Sequence, residues 1–138
     1  GAFQALPVPG YVELGDVEVE LHPAEGHTRD GTALLARDAG VLVCGDYLSD
    51  VEIPLIASGG SVSDYRDTLT RLATLVDQAE TIIPGHGSPH ERDAASRILA
   101  EDVAYLDALD RGEERPRLPP GRDSARQRQI HAENLGRA

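Results

Sequence analysis

The 138 residues give room for one domain with a modest core, and 40% hydrophobic with 27% charged residues is the composition of an ordinary globular chain. A formal net charge of -11 repels phosphate backbones, and a single cysteine allows neither an internal disulfide nor a thiolate zinc cluster. No apolar run approaches the roughly 20 residues of a bilayer span. Nucleic-acid binding, a disulfide scaffold and a membrane span are therefore excluded as readings, and a reducing, cytoplasmic location is the expectation.

Residues 1–11 hold Pro7, Pro9 and Gly10 among scattered apolar residues and read as a loop leading into the first strand. From Val12 to Leu21 the chain alternates, with Val17, Val19 and Leu21 set against Asp16, Glu18 and Glu20. That period of two predicts a half-buried strand with a turn at Gly15-Asp16. A polar loop, Glu25 to Gly31, follows. Thr32–Arg37 and Val41–Cys44 flank Asp38-Ala39-Gly40, which predicts a hairpin. Its second strand is apolar throughout, so burial on both faces is expected. Val62, Tyr65, Leu69, Leu72, Val76 and Ala79 recur three and four apart, the stripe of an amphipathic helix opened by a capping box of Ser61 and Asp64. Thr81-Ile82-Ile83 is a short strand that ends at Pro84. A second helix, about Arg92 to Leu109, is predicted to bury Ala95, Ile98, Leu99, Val103, Leu106 and Leu109 and to stop at Gly112.

Glu113 to Arg122 is charged and proline-rich and reads as an exposed linker, with 123–136 a short polar helix that needs a surface to pack on. This end is also different in charge. Residues 1–110 carry 20 of the 24 acidic residues and only 6 of the 13 arginines, so the tail is net positive against an acidic body. The order of elements predicts an α/β layered arrangement, with residues 1–112 as the main body and 113–138 as linker and tail.

Three loops each follow a predicted strand and each hold a metal-capable side chain: Gly26-His27-Thr28, Gly45-Asp46 and Gly85-His86-Gly87. Strand ends suit such work, because the sheet fixes the backbone while the side chain projects into a cleft. The neighbouring glycines let the chain turn sharply and leave room for an ion. Imidazoles suit zinc, copper, iron or nickel, and a carboxylate can bridge two cations; two histidines with one aspartate equally match a non-haem iron triad. Residue types alone leave the metal open.

The segments Glu25-Gly26-His27-Thr28, Val41-Leu42-Val43-Cys44-Gly45-Asp46 and Ile82-Ile83-Pro84-Gly85-His86-Gly87, in this order, resemble the C-terminal half of the metallo-β-lactamase superfamily, closest to its glyoxalase-II-like branch. The resemblance covers about residues 12–110 and implies the C-terminal half of an αββα sandwich. By the same resemblance His27 binds a first metal, Asp46 bridges two metals and serves catalysis, and His86 binds the second. The family's other ligands lie in an H-x-H-x-D-H motif, which is absent here; His22 and His27 do not replace it.

The resemblance thus implies a metal-dependent hydrolase of a small ester, thioester or lactone that uses a metal-bound hydroxide. Its cofactor would be two zinc ions, with iron or manganese as alternatives, and no serine or cysteine nucleophile is needed. The chain on its own is expected to be an incomplete fragment, a view that fits the start at Gly1-Ala2-Phe3 without methionine. The expected partners are a small-molecule substrate and either the missing N-terminal half or a second copy. Two other readings stay open: a mononuclear iron dioxygenase acting on persulfides, and a non-catalytic module that pairs through an exposed sheet.

Smaller expectations complete the reading. Thr28 is expected to hydrogen-bond the loop that holds His27. Tyr47 and Leu48 are placed either against substrate or against the next loop. His90 is read as a solvated histidine at a helix start, His22 as structural, and Cys44 as buried and inert.

Overall fold

A computed structural model describes residues 6–138; the first five residues of the expected entry loop lie outside them. The alternating run divides at its expected turn. β1 (Gly10–Leu14) and β2 (Val17–Pro23) pair antiparallel, Leu14 lies opposite Val17, and Gly15 takes the positive φ of 64° that a two-residue reversal needs. β3 (Thr32–Ala36) and β4 (Val41–Gly45) form the expected hairpin. The next strand, β5 (Thr81–Pro84), lies parallel to β4, and α1 (Val62–Val76) makes the crossover that parallel neighbours require. A two-residue strand, β6 (His90–Glu91), completes a six-stranded sheet in the order β1-β2-β3-β4-β5-β6. It is too short for any periodicity to announce it.

Register assigns the two faces of this sheet. Ala33 and Leu35 of β3, Leu42 and Cys44 of β4 and Ile82 of β5 share one face and are fully buried in the core, together with the apolar stripes of α1 and α2 (Arg92–Asp110). The opposite face carries Val12, Val19, Leu21, Leu34, Val41, Val43 and Ile83; Val19 and Leu21 are buried there, and the other five are half-buried. Val41 and Val43 are only half-buried, because no helix among the described residues lies over them. The expectation that β4 is buried on both faces is corrected here: one face is under helices and the other is an open apolar surface.

α1 buries Tyr65, Leu69, Leu72 and Val76 as its stripe predicts. Its start is half a capping box. Ser61 Oγ accepts from the Asp64 N–H at 3.0 Å, but the Ser61 N–H donates to the Gly26 carbonyl and not to the Asp64 side chain. α2 buries Ala95, Ile98, Leu106 and Leu109 as expected, yet Leu99 and Val103 are half-buried while Asp102 and Tyr105 face inward.

The tail explains that rotation. The stretch read as an exposed linker is exposed at Glu114, Arg115, Arg117, Pro120 and Gly121 but anchored at intervals, with Pro116 and Leu118 buried and the Arg122 side chain 1% exposed. Arg122 donates to Asp102, to Glu101 at 2.8 Å and to the Glu52 carbonyl at 3.2 Å. α3 (Ala125–Leu135) then docks through Gln127, Ile130, His131 and Asn134. Its helix was legible as polar; that its polar residues are the docking face was not.

Candidate metal centre

β4 and β5 run parallel and end side by side, and open parallel sheets present ligands at the carboxyl ends of their strands. Asp46 leaves the end of β4, and His86 follows β5 by two residues. The Gly85 N–H donates to the Gly45 carbonyl at 2.6 Å, which ties the two ends together beyond the regular ladder. His27 arrives from the loop after β2, which the Ala24 N–H closes on the Gly31 carbonyl at 2.8 Å.

The three side chains singled out from sequence converge. His27 Nε2 lies 3.2 Å from Asp46 Oδ2, and His86 Nε2 lies 3.4 Å from Asp46 Oδ1. Each imidazole thus faces its own carboxylate oxygen. The side chain of His27 is mostly covered, while those of Asp46 and His86 are 44% and 58% exposed, so the group opens to the surface.

The backbone around His27 is held from four sides. Its N–H donates to Tyr47 Oη at 3.0 Å, and the Tyr47 hydroxyl donates to the Glu25 carbonyl at 2.6 Å. Thr68 of α1 donates to the same carbonyl at 2.6 Å, and the Ala57 N–H donates to the His27 carbonyl at 3.1 Å. Burial pushes the Tyr47 hydroxyl up to about 12, so it remains a protonated donor. Gly26 makes this closeness possible: at φ +126° it passes α1 so tightly that a Cβ would sit 2.3 Å from Tyr65 Cα.

The His86 loop has a matching support. Asp50 Oδ1 accepts from the Ser88 N–H at 3.0 Å, and a Cβ on Gly87, whose φ is +101°, would lie 2.0 Å from that oxygen. Leu48, between Asp46 and Asp50, holds a φ of 59°, a left-handed conformation uncommon outside glycine. The buried His90 imidazole pairs with its carbonyl at 3.0 Å.

Of the smaller expectations His90 changes, His22 and Cys44 stand as read, and Tyr47 and Leu48 take the packing alternative. Tyr47 and Leu48 are buried, so they pack and do not face substrate. His90 is buried and bonded rather than solvated, because β6 turns it inward beside Ile82. The Thr28 carbonyl accepts from the Gly26 N–H at 3.0 Å within the loop of His27, and the hydroxyls of Tyr47 and Thr68 hold that loop from outside it. His22 pairs with Glu20 at 3.1 Å, a structural contact, and Cys44 is fully buried with its thiol pushed up to about 12 by burial. Tyr47, Thr68 and Asp50 act through backbone atoms distant in sequence, and no local pattern marks such roles.

The donor chemistry can be tested for fit to a metal. His27 Nδ1 lies 2.8 Å from the Leu55 carbonyl, which can only accept, so Nδ1 carries the hydrogen and Nε2 turns toward Asp46. A lone pair facing a carboxylate oxygen at 3.2 Å needs a proton or a cation between them. Bonds of about 2.0–2.1 Å to a tetrahedral ion place neighbouring donors roughly 3.4 Å apart. The separations and donor types therefore fit a metal. Among the described residues, however, no set of three histidine, cysteine or carboxylate side chains encloses an ion by itself.

The profile of the metallo-beta-lactamase superfamily matches residues 12–86, more than half of the chain and a stretch that contains all three residues. The chain belongs to this superfamily. It is 32% identical over 95 residues to the acyl-coenzyme A thioesterase MBLAC2 of Homo sapiens and, to the same extent, to that of Bos taurus. The match covers 67% of this chain and 34% of each relative, so the chain spans about a third of the length of these curated relatives. Among solved structures, a metallo-beta-lactamase family protein of Thermus thermophilus aligns with a TM-score of 0.64 at 22% identity, covering 78% of this chain and 36% of that one. The stereoselective inverting sec-alkylsulfatase Pisa1 of Pseudomonas sp. aligns over 96% of this chain and 26% of its own, with a TM-score of 0.70 at 16% identity. The first alignment supports the metallo-beta-lactamase fold of the sheet and its helices, and the second shows a shared arrangement of the chain.

Proposed function

We propose that this protein serves a metal-dependent hydrolase whose substrate is a small thioester, ester or lactone, with thioesters first. The observation that carries the reading is the convergence of His27 and His86 on separate oxygens of Asp46. Similarity to an acyl-coenzyme A thioesterase puts the thioester ahead of the other two.

In this reading His27, Asp46 and His86 would be the chain's ligands to metal ions, with zinc, iron and manganese all compatible with the donors. Bound there, such ions acidify water and polarise a carbonyl, the chemistry that hydrolysis requires. The chain's own residues supply the frame. Asp46 sets the spacing of the imidazoles, the Leu55 carbonyl directs His27 Nε2 toward it, and Asp50 holds the loop of His86. Two imidazoles and one carboxylate are too few for a two-metal site, so the remaining ligands come from polypeptide that lies against the open apolar face. That polypeptide is either the rest of the fold or a second copy of the chain.

The test has two parts. Elemental analysis of the 138-residue protein, with its intact mass recorded, shows whether these donors hold zinc, iron or manganese unaided. In the complete enzyme, His86→Ala is expected to abolish hydrolysis of an acyl-coenzyme A thioester without unfolding it, since His86 is exposed and carries no core packing. Full turnover by that variant would sink the assignment; oxygen uptake with iron in place of hydrolysis would transfer it to a dioxygenase.

A further inference from the structure

The segment from Ile53 to Ala57 belongs to no helix or strand, yet it supplies the carbonyl of Leu55 that accepts from His27 Nδ1. An unsupported loop could not fix an imidazole. The support comes from α3. The Asn134 side chain donates from Nδ2 to the Pro54 carbonyl at 2.7 Å and accepts at Oδ1 from the Ile56 N–H at 2.9 Å. One amide thus spans the backbone groups on either side of Leu55, the pairing a neighbouring β-strand would make. Gln127 accepts from the Ile53 N–H at 2.7 Å, and Arg137, just past α3, donates to the Ile56 carbonyl at 2.9 Å, so α3 and the residues after it hold the segment from Ile53 to Ile56.

The orientation of this amide is determined by what lies behind it. The His131 Nε2 lies 2.7 Å from the Glu113 carbonyl, so Nε2 carries the hydrogen and Nδ1 accepts from the Tyr105 hydroxyl at 2.9 Å. The Tyr105 oxygen is then left to accept from Asn134 Nδ2, also at 2.9 Å. Every donor has one assignment, and a flipped amide would set its oxygen against the Pro54 carbonyl. Asn134 is fully buried, as an amide committed to fixed partners must be.

We propose that Asn134 is a positioning residue for His27: a C-terminal helix, through one side-chain amide, holds the Leu55 carbonyl that aims the His27 imidazole at Asp46. The proposal rests on the metal reading of His27 only for its consequence, since the aiming itself is a property of the protein without metal.

The experiment is nitrogen-15 NMR of the imidazoles, with zinc titrated afterwards, on wild type, Asn134→Leu and Ile130→Ala. Ile130→Ala removes buried packing of α3 but keeps the Asn134 amide. In wild type the His27 Nδ1-bound hydrogen is expected to be protected from solvent. Asn134→Leu is expected to speed its exchange about fivefold to tenfold, the worth of one hydrogen bond, and to weaken zinc binding on the order of tenfold or more. Ile130→Ala is expected to lower the melting temperature without either effect. Equal His27 exchange in both variants would overturn the proposal. Should Asn134→Leu not fold, Tyr105→Phe removes only the oxygen that anchors the amide; faster His27 exchange supports the proposal and unchanged exchange overturns it. If wild type binds no zinc while His27 still responds to Asn134→Leu, the positioning role stands and the three donors need the remaining ligands of the fold to hold an ion.

Discussion

Gly26 shows how much of the candidate site is settled by single residues. Its φ of +126° and the 2.3 Å approach of a would-be Cβ to Tyr65 Cα let the loop lie directly on α1, where Thr68 and Tyr47 share the Glu25 carbonyl. Gly26→Ala is therefore expected to destabilise by about 3 kcal/mol or more, since backbone clash and left-handed strain coincide; a chemical-denaturation curve measures it. Tyr47→Phe keeps the ring but deprives the Glu25 carbonyl and the His27 N–H of a buried partner. Its expected cost is about 1–3 kcal/mol, and its signature is a shift of the His27 amide resonance. Cys44 lies at the other extreme. With its thiol buried and pushed up to about 12, it should resist thiol reagents in native buffer and react fully in denaturant.

Among the elements, the tail does most that the sequence does not announce. Arg122 enters the body beside Asp102 and Glu101, and α3 follows it into place over residues 53–56. Burial pushes the Asp102 carboxyl up to about 7, although Arg122 pulls the other way. A carboxyl whose pKa is raised on folding binds its proton more tightly in the folded state. The contribution to stability is thus complete below the unfolded value of 3.8 and is lost as the pH rises through about 7. Wild type should gain stability relative to Asp102→Asn as the pH falls from 7 towards 4, seen as diverging urea midpoints. Parallel midpoints across that window would mean that Arg122 keeps the carboxylate ionised throughout.

At the scale of the molecule the sheet is unevenly clothed. Helices cover one face, while Val12, Leu34, Val41, Val43 and Ile83 line the other, and Leu14 at its outer edge is 62% exposed. Partly exposed apolar side chains on one face, with Leu14 and Val17 exposed at its edge, favour association. In sedimentation the isolated chain is expected to show concentration-dependent self-association, and Val43→Glu should shift it towards monomer while leaving the helical face intact. A chain that stays monomeric at all concentrations would remove self-association as a source of further ligands.

Every element but β6, and the three candidate ligands, are legible in local patterns of the chain. Alternation between Val17 and Leu21, the helical stripe from Val62 to Val76 and three glycine-flanked polar residues at strand ends are local patterns, and local patterns follow from the periods of strand and helix. How the ligands meet, which sheet face stays open and where the tail docks follow from the folded chain alone. Those outcomes depend on contacts between residues far apart: Arg122 with Asp102, Asn134 with Pro54 and Ile56, His27 with Leu55. The polar tail shows why. Asn134 has the same side chain whether it meets water or a backbone amide, so its identity states that it will hydrogen-bond but not to what. Buried apolar residues repeat with a period that betrays them, whereas a buried polar residue is defined by its partner, and the partner is supplied only when the chain has folded.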